Sequence, residues 1–338
     1  MLKTAEAVSI GHPDKIADYI SCFILDKLIK KYPYIRYAVE VMIKGNTVVL
    51  GGELSHKPDL KILNEYVKEA IREIGYDEQY FKIWGQKAIN INAIRVIDLI
   101  GKQSSEIAQG ITQNGWGDQG VFAGYACQGK GLINKELFLA KQLNNCLYEY
   151  ALQSKNLGLD IKTQITTDNR GKIKTVIVAI PMIKKEDITD KIISALGGRG
   201  YEIIVNGTGI YQQHASIADC GVTGRKLACD FYSTACPIGG GSPWTKDPSK
   251  ADLTLNLYAR KLAIDNLKDF DECFVYLSSC IGRSQLPSCT IRQIKSGKSI
   301  TVSKPCDLKP DKIISILNLR RPIYTHLCRV GITNINLF

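Results

Sequence analysis

The chain of 338 residues has little that would carry it into a membrane. Its longest apolar stretch, Val176 to Ile183, contains Pro181 and falls far short of the about 20 residues that a spanning helix needs. Met1 to Ile10 has no apolar h-region of the kind found in a secretory leader. There are 11 cysteines, an odd count, and no C-x-x-C; the closest pairs, Cys229/Cys236 and Cys273/Cys280, are seven apart. That spacing argues against a zinc ribbon or a thioredoxin-type centre. It fits free thiols in a reducing compartment better than a disulfide frame, so the expected location is the cytoplasm. Two glycine signatures for nucleotide phosphates are also missing: G-x-x-x-x-G-K-[ST], and G-x-G-x-x-G after a strand. If the chain binds a nucleotide, side chains must hold it instead of a standard glycine cradle.

What is present is globular. Apolar residues make up 45% and charged residues 23%, with 29 Gly and 11 Pro. This excludes whole-chain disorder, collagen and coiled coil. A chain of this length buries a large core without staples, and at about 150 residues per domain it has room for two or three. Lys and Arg number 44 against 33 Asp and Glu, a net +11. Such a surplus suits a polyanionic partner: nucleic acid, acidic membrane or a phosphorylated small molecule. It does not choose among them, and a merely basic soluble surface stays open.

A pattern recurs three times. A helix near Lys15 to Lys31, opened by Pro13, puts Ile16, Ile20, Phe23, Ile24 and Leu28 on one face. Strands Tyr37 to Ile43 and Thr47 to Leu50 follow around Lys44-Gly45-Asn46, then a helix from Asp59 to Ile74 stopping at Gly75. The second copy has a helix Asn134 to Gln153, strands Asp160 to Thr167 and Ile173 to Ile180, and a helix Lys185 to Leu196. The third, looser copy has a helix Ala251 to Asn266, strands within Glu272 to Thr301, and a helix near Lys309 to Leu317. The even spacing predicts an α+β protein of three similar α/β units in a pseudo-three-fold repeat. Their expected bounds are 1–103, 113–213 and 214–338. Each unit would bury one sheet face under helices and leave the other to pack between units or against another subunit.

Three clusters have chemical potential. Gly11-His12-Pro13-Asp14-Lys15 sits at a helix start, where anions are favoured. There Asp14 can hold Mg²⁺ and His12 can meet a leaving oxygen, although Asp14 also suits the helix dipole and His12 a cap. In Asp219 to Lys226, Arg225 and Lys226 beside two glycines suit a phosphate clamp; a solvated basic turn is the plainer reading. Gly239 to Asp252 is a glycine-rich run with Ser242, Lys246 and Lys250 that leads into a helix; it also reads as a flexible surface loop. All three clusters hold cations, and two lie at expected helix starts. Together they point to a polyphosphate and Mg²⁺ site.

Six fragments then occur in order from Glu6 to about Ile281: GHPDKIAD (Gly11 to Asp18), GGE (Gly51 to Glu53), GKQS (Gly101 to Ser104), GDQG (Gly117 to Gly120), DCGVTGRK (Asp219 to Lys226) and KDPSKAD (Lys246 to Asp252). Together they resemble the S-adenosylmethionine synthetase (methionine adenosyltransferase) family. The resemblance implies that the methionine sulfur attacks C5′ of ATP and expels triphosphate, which is then hydrolysed to pyrophosphate and phosphate. It implies catalytic roles for His12, Lys162, Arg225 and Lys246. It places Lys15, Asp160, Tyr211, Asp219, Lys226 and Ser242 around ATP, with Asp160 at the ribose. Glu53, Gln103, Asp118, Asp219 and Lys250 fall around methionine. Asp14 and Asp252 become Mg²⁺ ligands and Glu40 a K⁺ ligand; a carboxylate between Val39 and Val41 is also expected to need a partner. The resemblance further implies a lid from Gly101 to about Gly117, and a homodimer or dimer of dimers with the site between subunits.

The match has gaps. Ile10 stands where the family usually has Glu, and Ile210 where it has Arg. Gln212 to Ile217 replaces a glycine-rich segment, Thr234 to Ile238 replaces a Gly-Gly stretch, and Cys328 to Phe338 lacks the usual Gly-His-Phe-Gly-type tail. A non-catalytic nucleotide-binding regulatory relative is therefore the alternative. Nucleic-acid binding rests on charge alone, with no RRM, KH or helix-turn-helix cue, and neither a nucleic-acid nor a membrane partner is expected.

Overall fold

The computed structural model describes residues 1–101 and 115–333. Gln103 and most of the expected lid lie outside the described residues. In chain order, β1 (Lys3–Val8) precedes α1 (Pro13–Lys31), β2 (Tyr37–Lys44), β3 (Thr47–Leu54), α2 (Leu60–Ile74), α3 (Glu78–Trp84) and β4 (Arg95–Gly101). Next come β5 (Gly120–Cys127), α4 (Lys135–Gln153), β6 (Lys162–Thr167), β7 (Ile173–Ala179), α5 (Thr189–Leu196) and β8 (Glu202–Val205). The rest comprises α6 (Ala215–Ala218), β9 (Gly221–Val222), α7 (Leu227–Asp230), α8 (Ala251–Asp265), β10 (Glu272–Ser279), β11 (Gln285–Lys295), β12 (Lys298–Asp307), α9 (Pro310–Ile316) and α10 (Tyr324–Val330).

Among the described residues the strands form three four-stranded sheets, ordered β4-β3-β2-β9, β8-β7-β6-β1 and β12-β11-β10-β5. The first two repeat one pattern: an antiparallel hairpin, an antiparallel strand on one side and a parallel strand on the other. The parallel strand follows from the intervening helices, α2 and α3 in one sheet and α5 in the other, because a parallel return needs a crossover. In the third sheet β12 follows β11 through Ser296-Gly297, both at positive φ, so the pair is antiparallel. In each sheet one outer strand comes from a distant part of the chain. β1 joins β6, β5 joins β10, and β9 joins β2.

The helix ends follow their sequence signals. Asp59 accepts the Ile62 N–H to cap α2, and Gly75 ends it in a left-handed conformation. α5 is shorter than the expected Lys185 to Leu196: it begins at Thr189, whose N–H donates to Asp187 at 2.9 Å. α1 departs from the single apolar face: Asp14, Lys15, Asp18, Ser21 and Cys22 are buried along with Ile16, Ile20 and Ile24. It runs through a core that spans all three sheets, and its polar side faces the candidate site. Met42, Leu99 and Val121 remain exposed on strands. Among the described residues, no helix is long and apolar enough to cross a membrane.

Candidate active site

The start of α1 is the centre of the site. His12 is its N-cap: Nδ1 accepts the Asp14 N–H at 3.2 Å. Gly11 and Gly221 permit the close packing here. A Cβ on Gly11 would lie 2.3 Å from the Leu159 carbonyl oxygen, and one on Gly221 would lie 2.0 Å from that of Pro13. β9 therefore lies directly against the helix start, and the Val222 N–H donates to Asp14 Oδ1 at 2.9 Å. Lys226 Nζ reaches Asp14 Oδ2 at 2.5 Å, and Arg225 Nε lies 3.6 Å from Oδ1. Burial, then Lys226 and Lys162, push the His12 pKa down to about 3. The ring is therefore neutral, and with Nδ1 accepting, Nε2 carries the proton.

Asp160 shares the charged neighbours Lys162, Lys226 and Asp219 with His12. Its Oδ2 accepts the Ala215 N–H at 2.9 Å, while Oδ1 is buried without a partner. Burial raises its pKa to about 6, against the pull of that N–H and of Lys162. Lys162 is the exposed first residue of β6. Exposed Asp219 caps the C-terminus of α6. Its charge acts on both His12 and Asp160. Tyr211 is half-buried beside Asp160. Ala215 has φ +52°, a left-handed conformation that costs a non-glycine residue about 1–2 kcal/mol.

A second group forms at α8. Lys246 Nζ pairs with Asp252 in the first helical turn, and the Gly241 N–H donates to the other oxygen of that carboxylate at 3.0 Å. Lys250 is the N-cap residue. Glu53 and Lys246 flank Ala38, which pairs with both in the β2 region. Ser242 accepts the Trp244 N–H at 3.4 Å and lies against Gly224. Among the described residues no ion pair or hydrogen bond joins this group directly to Asp14 or His12. Glu40 links them indirectly, accepting from Thr223 and, at 3.0 Å, from Thr245. Glu40 is exposed, because strand alternation sends it away from buried Val39 and Val41, and the two hydroxyls are the partners that a carboxylate in this strand is expected to need. Asp118 is also exposed and caps its own loop through the Gln119 N–H.

Lys15 differs most from the expected phosphate neighbour. Its ammonium is buried, 2.7 Å from Asp230 and 3.2 Å from Asp18, over the ring of Trp244. Burial opposes its charge, but Asp230 and Asp18 outweigh it and hold the pKa above the lysine range. Asp18 accepts the Gly224 N–H at 2.8 Å, yet burial pushes its pKa up to about 7. Asp18 and Asp230 thus support the helix start and the loop before Arg225. Asp230 lies in no sequence motif, whereas Asp18 is the last residue of the GHPDKIAD run.

The donor set suits metals bound together with a substrate. Among the described residues no group of three or more His, Cys, Asp or Glu could enclose an ion. Mg²⁺ usually keeps waters and phosphate oxygens and takes only one or two carboxylates. Asp14 and Asp252, each now facing a lysine, fit that role. Glu40 with two threonine hydroxyls offers oxygens suited to a hard monovalent cation.

Comparison with known proteins identifies the family. The family models for the S-adenosylmethionine synthetase N-terminal and C-terminal domains match residues 1–105 and 213–336. S-adenosylmethionine synthases of Pelagibacter ubique and Granulibacter bethesdensis are 30% and 32% identical to the chain. Each alignment covers 98% of the chain, and 92% and 91% of those proteins. The structure of an unusual S-adenosylmethionine synthetase from Campylobacter jejuni superposes with a TM-score of 0.87 at 30% identity, covering 98% of this chain and 94% of that one. With its two terminal domains matched and its whole length aligned on one fold, the chain belongs to the S-adenosylmethionine synthetase family, the methionine adenosyltransferases.

Proposed function

We propose that this chain itself makes S-adenosyl-L-methionine from ATP and L-methionine and hydrolyses the bound triphosphate to phosphate and pyrophosphate. The observation that carries this is the meeting of neutral His12 with Asp14, Arg225 and Lys226 at the α1 start, with Asp160 and Lys162 close enough to act on one another. A neutral sulfur attacks a carbon whose leaving group is a polyanion. The protein must therefore align sulfur, C5′ and the leaving oxygen and neutralise the charge that develops. In this reading the protonated Nε2 of His12 donates to the leaving 5′ oxygen. Arg225, Lys226, Lys162 and Lys246 hold the triphosphate, and Asp160 takes a ribose hydroxyl. Tyr211 lies beside the adenine, with Lys15 and Ser242 behind the phosphate side. Glu53, Gln103, Asp118, Asp219 and Lys250 surround methionine and the nascent sulfonium.

Asp14 and Asp252 would hold Mg²⁺, which when bound neutralises phosphate charge; Glu40 would hold K⁺. We further propose that the complete site lies between two copies, in a homodimer or dimer of dimers working in the cytoplasm. Exposed Met42, Leu99 and Val121 are apolar surface that such an association would cover.

Incubation with ATP, methionine, Mg²⁺ and K⁺, with the products quantified by mass spectrometry and enzymatic assay, tests the reading. Equal amounts of S-adenosylmethionine, phosphate and pyrophosphate are expected. ATP binding without product would support the regulatory relative instead, for which the altered Gln212 to Ile217 and Thr234 to Ile238 segments are the motive.

A further inference from the structure

Resting on the ribose role of Asp160, we propose that His214 and Tyr80 are a positioning pair: they hold Ala215 in its left-handed conformation and so fix the Asp160 carboxylate for the nucleotide. His214 lies in the segment where this chain departs from the family's glycine-rich sequence, and it is only 1% exposed. Both of its ring nitrogens are engaged. Nδ1 lies 2.7 Å from the Gln212 carbonyl oxygen, and Nε2 lies 2.6 Å from the Tyr80 hydroxyl. A carbonyl can only accept, so Nδ1 donates and Nε2 accepts the Tyr80 proton. Burial pushes the ring's pKa down to about 4, which keeps this neutral tautomer in place.

The Tyr80 oxygen, its own proton committed, accepts the Leu159 N–H at 3.2 Å. The result is a closed circuit. Leu159 precedes Asp160, Asp160 accepts from Ala215 at 2.9 Å, Ala215 follows His214, and His214 returns through Tyr80 to Leu159. One side of the Asp160 carboxylate is thereby held, and buried Oδ1 is left without a partner for an incoming donor. The circuit is tied to the phosphate side as well. Tyr76 packs edge-on against Tyr80 and donates to the Gly11 carbonyl at 2.8 Å, one residue before His12. Trp84 closes the pocket, its ring centroid 4.7 Å from that of His214. An apolar ring would fill that space equally well. The two directed hydrogen bonds are what a histidine adds.

The test uses full-length enzyme and four variants. His214→Phe and Tyr80→Phe keep the aromatic volume and break the circuit. Each is expected to raise KM for ATP about tenfold, the effect of losing a hydrogen bond that orients a charged group. KM for methionine and kcat should stay within about twofold, the pattern of lost binding and not lost chemistry. Ala215→Gly added to either variant should restore KM for ATP to within about twofold of the wild type, because glycine adopts positive φ without strain. An unchanged KM for ATP in both Phe variants overturns the proposal. So does a parallel rise for both substrates that Ala215→Gly does not rescue, since that marks general packing. If His214→Phe does not fold, Tyr80→Phe decides. Asp160→Asn separates the underlying reading. If it leaves KM for ATP unchanged, the ribose role fails, and positioning is judged on the Ala215 amide resonance in ¹⁵N-alanine-labelled protein. That resonance should shift in Asp160→Asn and in Tyr80→Phe; its persistence in Tyr80→Phe refutes the pair.

Discussion

His12 and Asp160 sit in one buried neighbourhood and are pushed in opposite directions, both toward neutrality. Desolvation disfavours whichever form is charged, so the imidazole loses its proton and the carboxyl keeps one longer. For His12 this yields an uncharged donor over the whole working range. For Asp160 it places a transition at about 6. Its ionised form is the better acceptor for a ribose hydroxyl, so kcat/KM for ATP should fall as pH drops through that value. The Asp160→Asn variant should lack this limb; measuring both removes the contribution of ATP's own titration. Lys246 presents a simpler case. Its ammonium pairs with Asp252, and under the proposed function it would turn to phosphate when Mg²⁺ takes up that carboxylate. Lys246→Ala should lower kcat/KM by about 10²–10³-fold, the scale of one charge-stabilising donor lost from a closed site. A steady-state assay with less than about a threefold loss, far below that scale, would remove Lys246 from the reaction.

Among the elements, the start of α1 and the two-residue β9 work as one unit. The helix brings three acidic and basic side chains into the core, and β9 brings the N–H groups and the Arg225-Lys226 pair to meet them. Their contact depends on Gly221, whose missing side chain leaves room for the Pro13 carbonyl and for Ile43. Gly221→Ala should destabilise the fold by about 1–3 kcal/mol, as overpacking does. It should lower activity further by moving Lys226 from Asp14. Denaturant unfolding and an activity assay on the same sample measure the two effects, and wild-type behaviour in both would show that β9 has slack.

Across the whole molecule, each sheet takes an outer strand from another part of the chain: β1, β5 and β9. This exchange ties the three units into one core and carries the Asp219 to Lys226 loop back to the α1 start. It does not bring α8 into ion-pair contact with that start. If a second copy completes the site, two dead variants should rescue each other. Asp14→Asn and Lys246→Ala are each expected to be inactive. Co-expressed in equal amounts, they should recover about a quarter of wild-type activity, because half the dimers are mixed and each mixed dimer of an isologous pair regains one of its two sites. Tagged tandem purification of the mixed dimer followed by assay measures this; a mixed dimer with no activity would place both residues in one chain's site.

Much of the scaffold is local and was legible in the sequence. Pro13, Asp59 and Gly75 mark helix ends by their backbone chemistry alone, and Gly45-Asn46 lies between two apolar strands as a hairpin turn. The helix-hairpin-helix order of the first two periods follows from spacing in the same way, whereas the third holds three antiparallel strands between its helices. The motif clusters at Gly11 and Gly221 also mark where the site lies, because close backbone approach requires glycine in those positions. What the sequence left undecided is non-local. β1 and β9 pair with strands more than 100 residues away, and nothing in a two- or six-residue stretch encodes its partner. The sequence names Lys15 and Lys226 alike as cations near phosphate. Only packing turns Lys15 inward to Asp230 and leaves Lys226 on Asp14, since a buried ammonium takes its nearest carboxylate. The positive φ of Ala215, and the His214 ring that secures it, likewise exist only once Tyr80 and Leu159 arrive from distant segments to close the circuit.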